Sequence, residues 1–205
     1  MARALALGFL VGFPIALSPG PIFFLVIRRT LARGWRSGFA SGVGVATGDA
    51  MYAALAAFGV GAVTTFLLAE RRWIGLIGGI AISLIGLRTL RERPLPGPHP
   101  RAGEGNLQRE FVSILALTLS NPSTILSFTA VFAGLGIRVA GRWSSALALV
   151  VGVWLGSLAW WVVLTGVASR LRERLTPSII RGFGTVAGIV LLGFGVIAVG
   201  AALTA

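Results

Sequence analysis

Six long apolar runs, separated by short clusters of charge, fill most of this 205-residue chain. A helix needs roughly 20 apolar residues to cross a bilayer, and nearly every run reaches that length. The shortest run can be completed by Arg88, whose stem can snorkel, together with Thr89 and Leu90. The pattern predicts an all-α, polytopic membrane protein of six transmembrane helices. The runs are Ala4–Ile27, Ser37–Ala69, Trp73–Leu87, Phe111–Ile137, Trp143–Ser169 and Gly182–Ala205.

The charge content agrees with a membrane protein and excludes several other classes. Only 12% of the residues are charged, about half the share found in ordinary soluble domains. The net charge of +12 comes from arginines that lie in clusters between apolar runs, so no nucleic-acid partner is expected. The chain has no cysteine and one histidine, His99, which supplies a transition-metal site poorly. We therefore expect no metal and no cofactor.

The arginines are distributed unevenly between the two sides of the predicted membrane. Thirteen follow the first, third and fifth runs, whereas the opposite side holds Arg3, Arg71, Arg72, Arg138 and Arg142. Cytoplasmic loops carry the excess of positive charge. We therefore predict a multi-pass protein of the bacterial inner membrane with both termini outside and the Pro-rich linker, residues 91–108, in the cytoplasm.

Short motifs recur in the same order in the two halves of the chain. The prolines Pro19 and Pro122 are 103 residues apart, and three glycine pairs recur at 108 or 109 residues: Gly44 with Gly152, Gly79 with Gly188 and Gly86 with Gly195. Each half has three spans, so the second half must enter the membrane the other way up, as in many secondary transporters. We predict one transmembrane domain, residues 1–205, built from inverted three-helix repeats at 4–90 and 109–204. The alternative is that small residues recur because membrane helices pack through them.

Both halves carry a helix-breaking element in their first span. Pro14 and the segment Ser18–Pro21 crowd the first run, and Asn121-Pro122 takes the corresponding place in the fourth. Proline removes a backbone donor and clashes with the preceding turn, so we expect helices 1 and 4 to be broken there. Segments restarting at Pro21 and Pro122 would present free amides and a positive dipole end to a central cavity, which suits a carboxylate. The predicted substrate-binding residues are Ser18, Pro19, Gly20, Pro21, Asn121, Pro122 and Ser123. The alternative is a pair of structural kinks.

Asp49 is the only acidic residue inside an apolar run. A charge at that depth costs at least a few kcal/mol and usually faces the protein interior, where it is functional. A buried carboxyl can exchange its proton for the ammonium group of a substrate, which proton antiport requires. We predict Asp49 as the proton-coupling residue and add Thr47, Asp49 and Tyr52 to the substrate site. The alternative is a structural carboxyl held by Tyr52 or by a broken helix.

The second half has Ser157 near the place that corresponds to Asp49, so any charge function is asymmetric. The same predicted helix carries Trp154, Trp160 and Trp161. An interfacial or lipid-facing position is the expected one for these tryptophans, with a cavity lining as the alternative.

The ordered elements Leu17–Pro21, Gly34–Gly38, Gly44–Asp49 and Asn121-Pro122 resemble the LysE/RhtB family of amino-acid exporters over nearly the whole length. The resemblance implies efflux of amino acids or related metabolites across a bacterial inner membrane, driven by the proton gradient. This chain has Ile22 where the family often has Asn, and Ser123 where it often has Lys. Both departures remove a polar group, which favours a more apolar amino acid or another small amphipathic metabolite.

Three other functions compete with export of an amino acid. An intramembrane enzyme needs a nucleophile with a base, paired carboxylates or metal ligands, whereas Asp49 stands alone. A cation or metal-ion exporter needs more than one carboxylate as a hard-cation cage. A non-transporting assembly subunit is the third alternative. The expected partners are a small-molecule substrate and the lipid bilayer, and a homo-oligomer is compatible with the sequence.

Overall fold

A computed structural model describes residues 1–58, 69–91, 106–121, 124, 127–128 and 143–204. This part of the chain is all-helical and contains no strand. Its seven main helices are α1 (Ala2–Leu17), α2 (Pro21–Arg33), α3 (Trp35–Ala57), α4 (Arg71–Arg91), α5 (Leu107–Leu119), α6 (Trp143–Arg174) and α7 (Pro177–Thr204). The predicted all-α class is confirmed, and α4 extends through Thr89 and Leu90 as expected.

The first apolar run is broken where its prolines predict. Pro14 lies inside α1 without ending it, but the helix stops at Leu17 and Ser18 is extended. A new helix begins at Pro21 after the extended Gly20, because proline at the first helical position lacks only an amide that would be unpaired there. The axes of α1 and α2 differ by 77°. The predicted break at Ser18–Pro21 is thus confirmed.

Three described helices are long and apolar enough to cross a membrane, and a fourth span results if α1 and α2 are counted as one broken span. The three are Arg72–Arg91, Trp143–Arg172 and Ser178–Thr204. The predicted second and fourth spans extend into residues outside the described ranges, so the count of six spans stays a prediction. Helix α3 is not among these three. Twelve of its 23 residues are buried, and a helix that is enclosed by protein needs little apolar surface toward lipid.

Glycines bring α3 and α6 close to their neighbours. A Cβ added at Gly44 or Gly48 of α3 would collide with α5, at Ile114 or Thr118 respectively. A Cβ added at Gly152 of α6 would collide with the backbone of α1. Small residues at such spacing are what permits helices in membranes to pack tightly. These close contacts surround α3 and α6 with neighbouring helices, so that the two lie in the centre of the described structure.

Helices α4 and α7 also pack through glycines. A Cβ added at Gly79 would lie 2.9 Å from the carbonyl oxygen of Gly195, and one added at Gly86 would lie 2.9 Å from the carbonyl oxygen of Gly188. The two helices form one of the most extensive contacts in the described structure, together with that between α1 and α6.

The buried apolar side chains form two main clusters at different levels of α3. The first cluster contains Val45 together with Ala16, Ile22, Leu25, Val26, Ile82, Ile114, Leu117, Trp161 and Leu191. The second contains Tyr52 and Ala53 together with Val11, Phe128 and Val153. Asp49 lies on α3 between Val45 and Tyr52, and therefore between the two apolar clusters.

Candidate functional site

Asp49 and Ser157 form a buried polar pair between α3 and α6. Asp49 is 2% exposed and Ser157 is fully buried. The Ser157 hydroxyl donates a hydrogen bond of 2.7 Å to Asp49 Oδ2. Among the described residues this hydroxyl is the only hydrogen-bond donor to the carboxyl, and no cationic group pairs with Asp49 there. The pair can therefore hold a proton or receive a substrate cation.

Tyr52 is one turn from Asp49 but points to a different partner. Its hydroxyl donates a 2.7 Å hydrogen bond to the carbonyl oxygen of Leu119, the last residue of α5. Its ring stacks on Phe128 at a centroid distance of 5.9 Å. Tyr52 therefore ties α3 to the end of α5 and satisfies one of the carbonyls that a helix end leaves free.

The second predicted break lies at the end of α5. Ser120 leaves the helix, and Asn121 is buried with its side-chain amide donating to Thr124 Oγ1 over 3.1 Å. Gly78 of α4 packs directly on the carbonyl of Ser120. Pro122 and Ser123, the other two predicted site residues of this element, lie outside the described residues.

The residues of the first break differ in exposure. Ser18 and Pro19 are exposed and Gly20 is half-buried, whereas Pro21 is buried at the start of α2. No hydrogen bond among the described residues joins this segment to Asp49. The remaining candidate, Thr47, donates to the carbonyl of Val43 on its own helix, so its hydroxyl proton is already used. The structure thus brings Asp49 beside Ser157 and Tyr52 beside the second break.

A second charged cluster, which sequence reasoning missed, lies at the end of the structure predicted to face the cytoplasm. Glu110 of α5 is 4% exposed and sits between Arg29 and Arg33 of α2. Arg29 Nε lies 2.9 Å from Glu110 Oε2 as an ion pair, and Arg33 Nη1 contacts Glu110 Oε1. Arg29 also donates to Ser41 Oγ of α3 and Ser113 Oγ of α5, each over 3.0 Å.

This cluster joins α5 to α2 and α3, which lie far from it in sequence. The available signal was an acid placed immediately before an apolar run in a chain with six acids in total. Because the partners come from separate runs, nothing local in the sequence pairs them. We call the side chains of Arg29, Arg33, Glu110, Ser41 and Ser113 the cytoplasmic cluster.

The tryptophans of α6 do not all face lipid. Trp161 is 2% exposed and belongs to the first apolar cluster, so the lipid-facing expectation is wrong for this residue. Trp160 is half-buried and makes an edge-to-face contact with Phe13 at 5.9 Å. The indole N–H groups of both are buried and have no hydrogen-bond partner among the described residues.

Known proteins resemble this chain over nearly its whole length. The family model described as LysE type translocator matches residues 13–200. The Threonine efflux protein of Salmonella typhi is 28% identical over 198 residues, which cover 88% of this chain and 89% of that protein. The Chemotactic transduction protein ChpE of Pseudomonas aeruginosa is 30% identical over 191 residues, which cover 90% of this chain and 91% of that protein. No solved structure matches the chain.

Proposed function

The chain belongs to the LysE type translocator family, and on that premise we propose that it exports an amino acid or amino-acid derivative by proton antiport. The observation that carries the proposal is the carboxyl of Asp49, buried between α3 and α6 with a neutral hydroxyl as its partner. Relatives include a protein named for threonine efflux, which supports an amino acid as the substrate class.

Asp49 has the surroundings that an exchange of proton for substrate requires. A buried charge without a counter-ion is costly, so the empty site favours the neutral acid. When a substrate ammonium arrives, it supplies the missing counter-ion and the carboxyl can release its proton. One ion therefore replaces the other at Asp49, which is the coupling step we propose.

We further propose that the transporter consists of two inverted three-helix repeats, and the packing supports it. Asp49 and Ser157, which touch, are 108 residues apart, the spacing that also separates Gly44 from Gly152. A residue contacts its own repeat equivalent only where it lies near the twofold axis. The bonded pair would therefore mark the axis and the centre of the transporter.

Contacts between α4 and α7 support the same symmetry. With a spacing of 109 residues, Gly79 corresponds to Gly188 and Gly86 to Gly195. The twofold operation then converts the Gly79–Gly195 contact into the contact between Gly188 and Gly86. Both contacts are present, as an inverted repeat requires.

In this proposal the substrate lies between the two helix breaks, with its ammonium group at Asp49. Helix α2 begins at Pro21, and the amides in the first turn of a helix suit a carboxylate. The cytoplasmic cluster closes the cytoplasmic side, because its ion pair holds α2 against α5 and its hydrogen bond to Ser41 adds α3. Export then requires that this cluster open before substrate can reach Asp49.

The proposal is tested by efflux from proteoliposomes loaded with the twenty protein amino acids, each tested alone, with and without a pH gradient. The native chain is expected to export at least one amino acid faster when the gradient is imposed. Asp49→Asn is expected to abolish the acceleration, because an amide cannot carry the proton. The matched variant Ser157→Ala keeps the carboxyl and is expected to retain the gradient response. Unchanged acceleration in Asp49→Asn would sink the coupling role of this residue.

A further inference from the structure

Trp161 carries a polar group in a place where an apolar group would be expected. Among the described residues, the side chain is the largest of those that are almost completely buried, and its indole N–H has no hydrogen-bond partner there. Buried polar groups in native proteins are nearly always paired, and an unpaired one calls for a physical reason. Phenylalanine or leucine would fill such a site without leaving a donor unsatisfied.

The position of Trp161 on α6 relates it to Asp49. Ser157, which bonds Asp49, is four residues earlier, so the two side chains project from the same face about 6 Å apart along the helix axis. Trp161 lies on the side of Ser157 that leads toward Arg170, the end predicted to be cytoplasmic. A substrate that moves from the cytoplasm to Asp49 along this face meets Trp161 first.

The neighbours of Trp161 connect it to the first helix break. It packs in one cluster with Ala16 and Ile22, which flank the break at Ser18–Gly20. On α3 it packs against Gly42, where an added Cβ would lie 2.5 Å from the Cβ of Trp161. The side chain of Trp161 is therefore buried where α6 packs against α3, in the apolar cluster that also contains the end of α1 and the start of α2.

We propose that the indole N–H of Trp161 donates a hydrogen bond to the carboxylate of the substrate and determines specificity for carboxylate-bearing molecules. The proposal rests on the proposed function, in which the ammonium group lies at Asp49. Asp49 is bonded to Ser157, which lies one helical turn from Trp161 on α6, a separation that the two charged ends of a small zwitterion can span. The unpaired donor destabilises the empty closed state, and a carboxylate removes that penalty, so closure over substrate is favoured over closure without it.

The test compares Trp161→Phe with the native chain in proteoliposomes. The probes are the amino acid that the native chain exports fastest and the matching amino alcohol, whose hydroxymethyl group replaces the carboxylate. Loss of one hydrogen bond to a charged group corresponds to roughly a 10- to 100-fold change. We expect KM for the amino acid to rise by about that factor in Trp161→Phe, while the half-inhibitory concentration of the amino alcohol stays unchanged.

Trp154→Phe is the matched control, because it makes the same substitution on the same helix at a half-buried position. In Trp154→Phe, KM for the amino acid and the half-inhibitory concentration of the amino alcohol are both expected to stay as in the native chain. In the native chain itself, which has six tryptophans, one indole N–H resonance is expected to shift when the amino acid is added but not when the amino alcohol is added. This spectrum tests the contact even if Trp161→Phe does not fold.

Three outcomes decide the matter. The proposal is supported if Trp161→Phe, but not Trp154→Phe, loses the preference for the amino acid over the amino alcohol, and if one indole resonance of the native chain shifts with the amino acid only. Native discrimination in Trp161→Phe, or no selective shift, overturns it and leaves the export function standing. A native chain that exports none of the twenty amino acids overturns the proposed function and this inference together.

Discussion

Glu110→Gln tests whether the cytoplasmic cluster holds the transporter closed. The substitution keeps the size and the backbone of residue 110 but removes the charge that faces Arg29, whose side chain is 12% exposed. Breaking a buried ion pair by removing one partner costs about 3–5 kcal/mol. Arg29 retains its hydrogen bonds to Ser41 and Ser113, and the half-exposed Arg33 contributes little. Because these hydrogen bonds remain, we expect the closed state to be destabilised by about 2 kcal/mol, less than the full cost of breaking a buried ion pair.

The absence of cysteine from the chain provides a sensitive assay for this loss. Ser37 of α3 is buried, and its hydroxyl has no partner among the described residues, so Ser37→Cys introduces a single hidden thiol with little disturbance. Its reaction with a membrane-impermeant maleimide in inside-out vesicles reports opening toward the cytoplasm. A loss of about 2 kcal/mol corresponds to roughly thirtyfold more of the open state, and we expect labelling to accelerate by a similar factor in Glu110→Gln.

Two controls make the labelling result specific. Glu70→Gln removes the same charge from a residue that makes no ion pair within the described ranges, and it is expected to leave labelling of the Ser37→Cys thiol slow. Ser178→Cys places a thiol on an exposed position of α7 and is expected to react fast in both backgrounds. Equal labelling of the Ser37→Cys thiol with and without Glu110→Gln would refute the closing role of the cluster.

Two further predictions concern helix packing and orientation. Gly152→Ala places a Cβ on the carbonyl of Leu5, and we expect it to lower the free energy of unfolding by about 1–3 kcal/mol in thermal or denaturant unfolding. At Gly193 an added Cβ meets no atom of the described residues within 4 Å, so Gly193→Ala is expected to be neutral or stabilising by up to about 1 kcal/mol. Equal losses of stability in the two variants would contradict the packing argument. A reporter that is active only in the cytoplasm, fused after Ala205, is expected to be inactive, because the arginine distribution predicts that this terminus lies outside.

Features that depend on local chemistry could be predicted from the sequence, and the break in the first run is the clearest case. Pro19, Gly20 and Pro21 act on the backbone next to them, so the end of α1 and the start of α2 followed from residue types alone. The extent of α4 likewise followed from its own residues, because the stem of Arg88 can snorkel and Thr89 and Leu90 continue the helix beyond the apolar run. None of these predictions required knowledge of what packs against the helix.

Features that depend on the partner helix could not be predicted. Lipid and protein interior are both apolar, so hydrophobicity does not tell whether Trp161 faces one or the other. The pairing of Arg29 with Glu110 joins residues 81 apart and depends on how α2 meets α5. Tyr52 was expected near Asp49 because of its spacing, yet its hydroxyl is used by the carbonyl of Leu119.

The distance between the two charged sites argues that closing and coupling are separate functions of α3. Arg29 reaches α3 at Ser41, which is eight residues, or about 12 Å, from Asp49 along the helix. The first apolar cluster lies at the level between them. A guanidinium that already faces a carboxylate cannot serve as the counter-ion of Asp49 at that distance.

Asp49→Asn should therefore leave labelling of the Ser37→Cys thiol slow, and Glu110→Gln should keep the response of efflux to a pH gradient. If either variant changed both readouts, the two sites would have to act as one, and Asp49 could no longer be assigned a coupling role of its own.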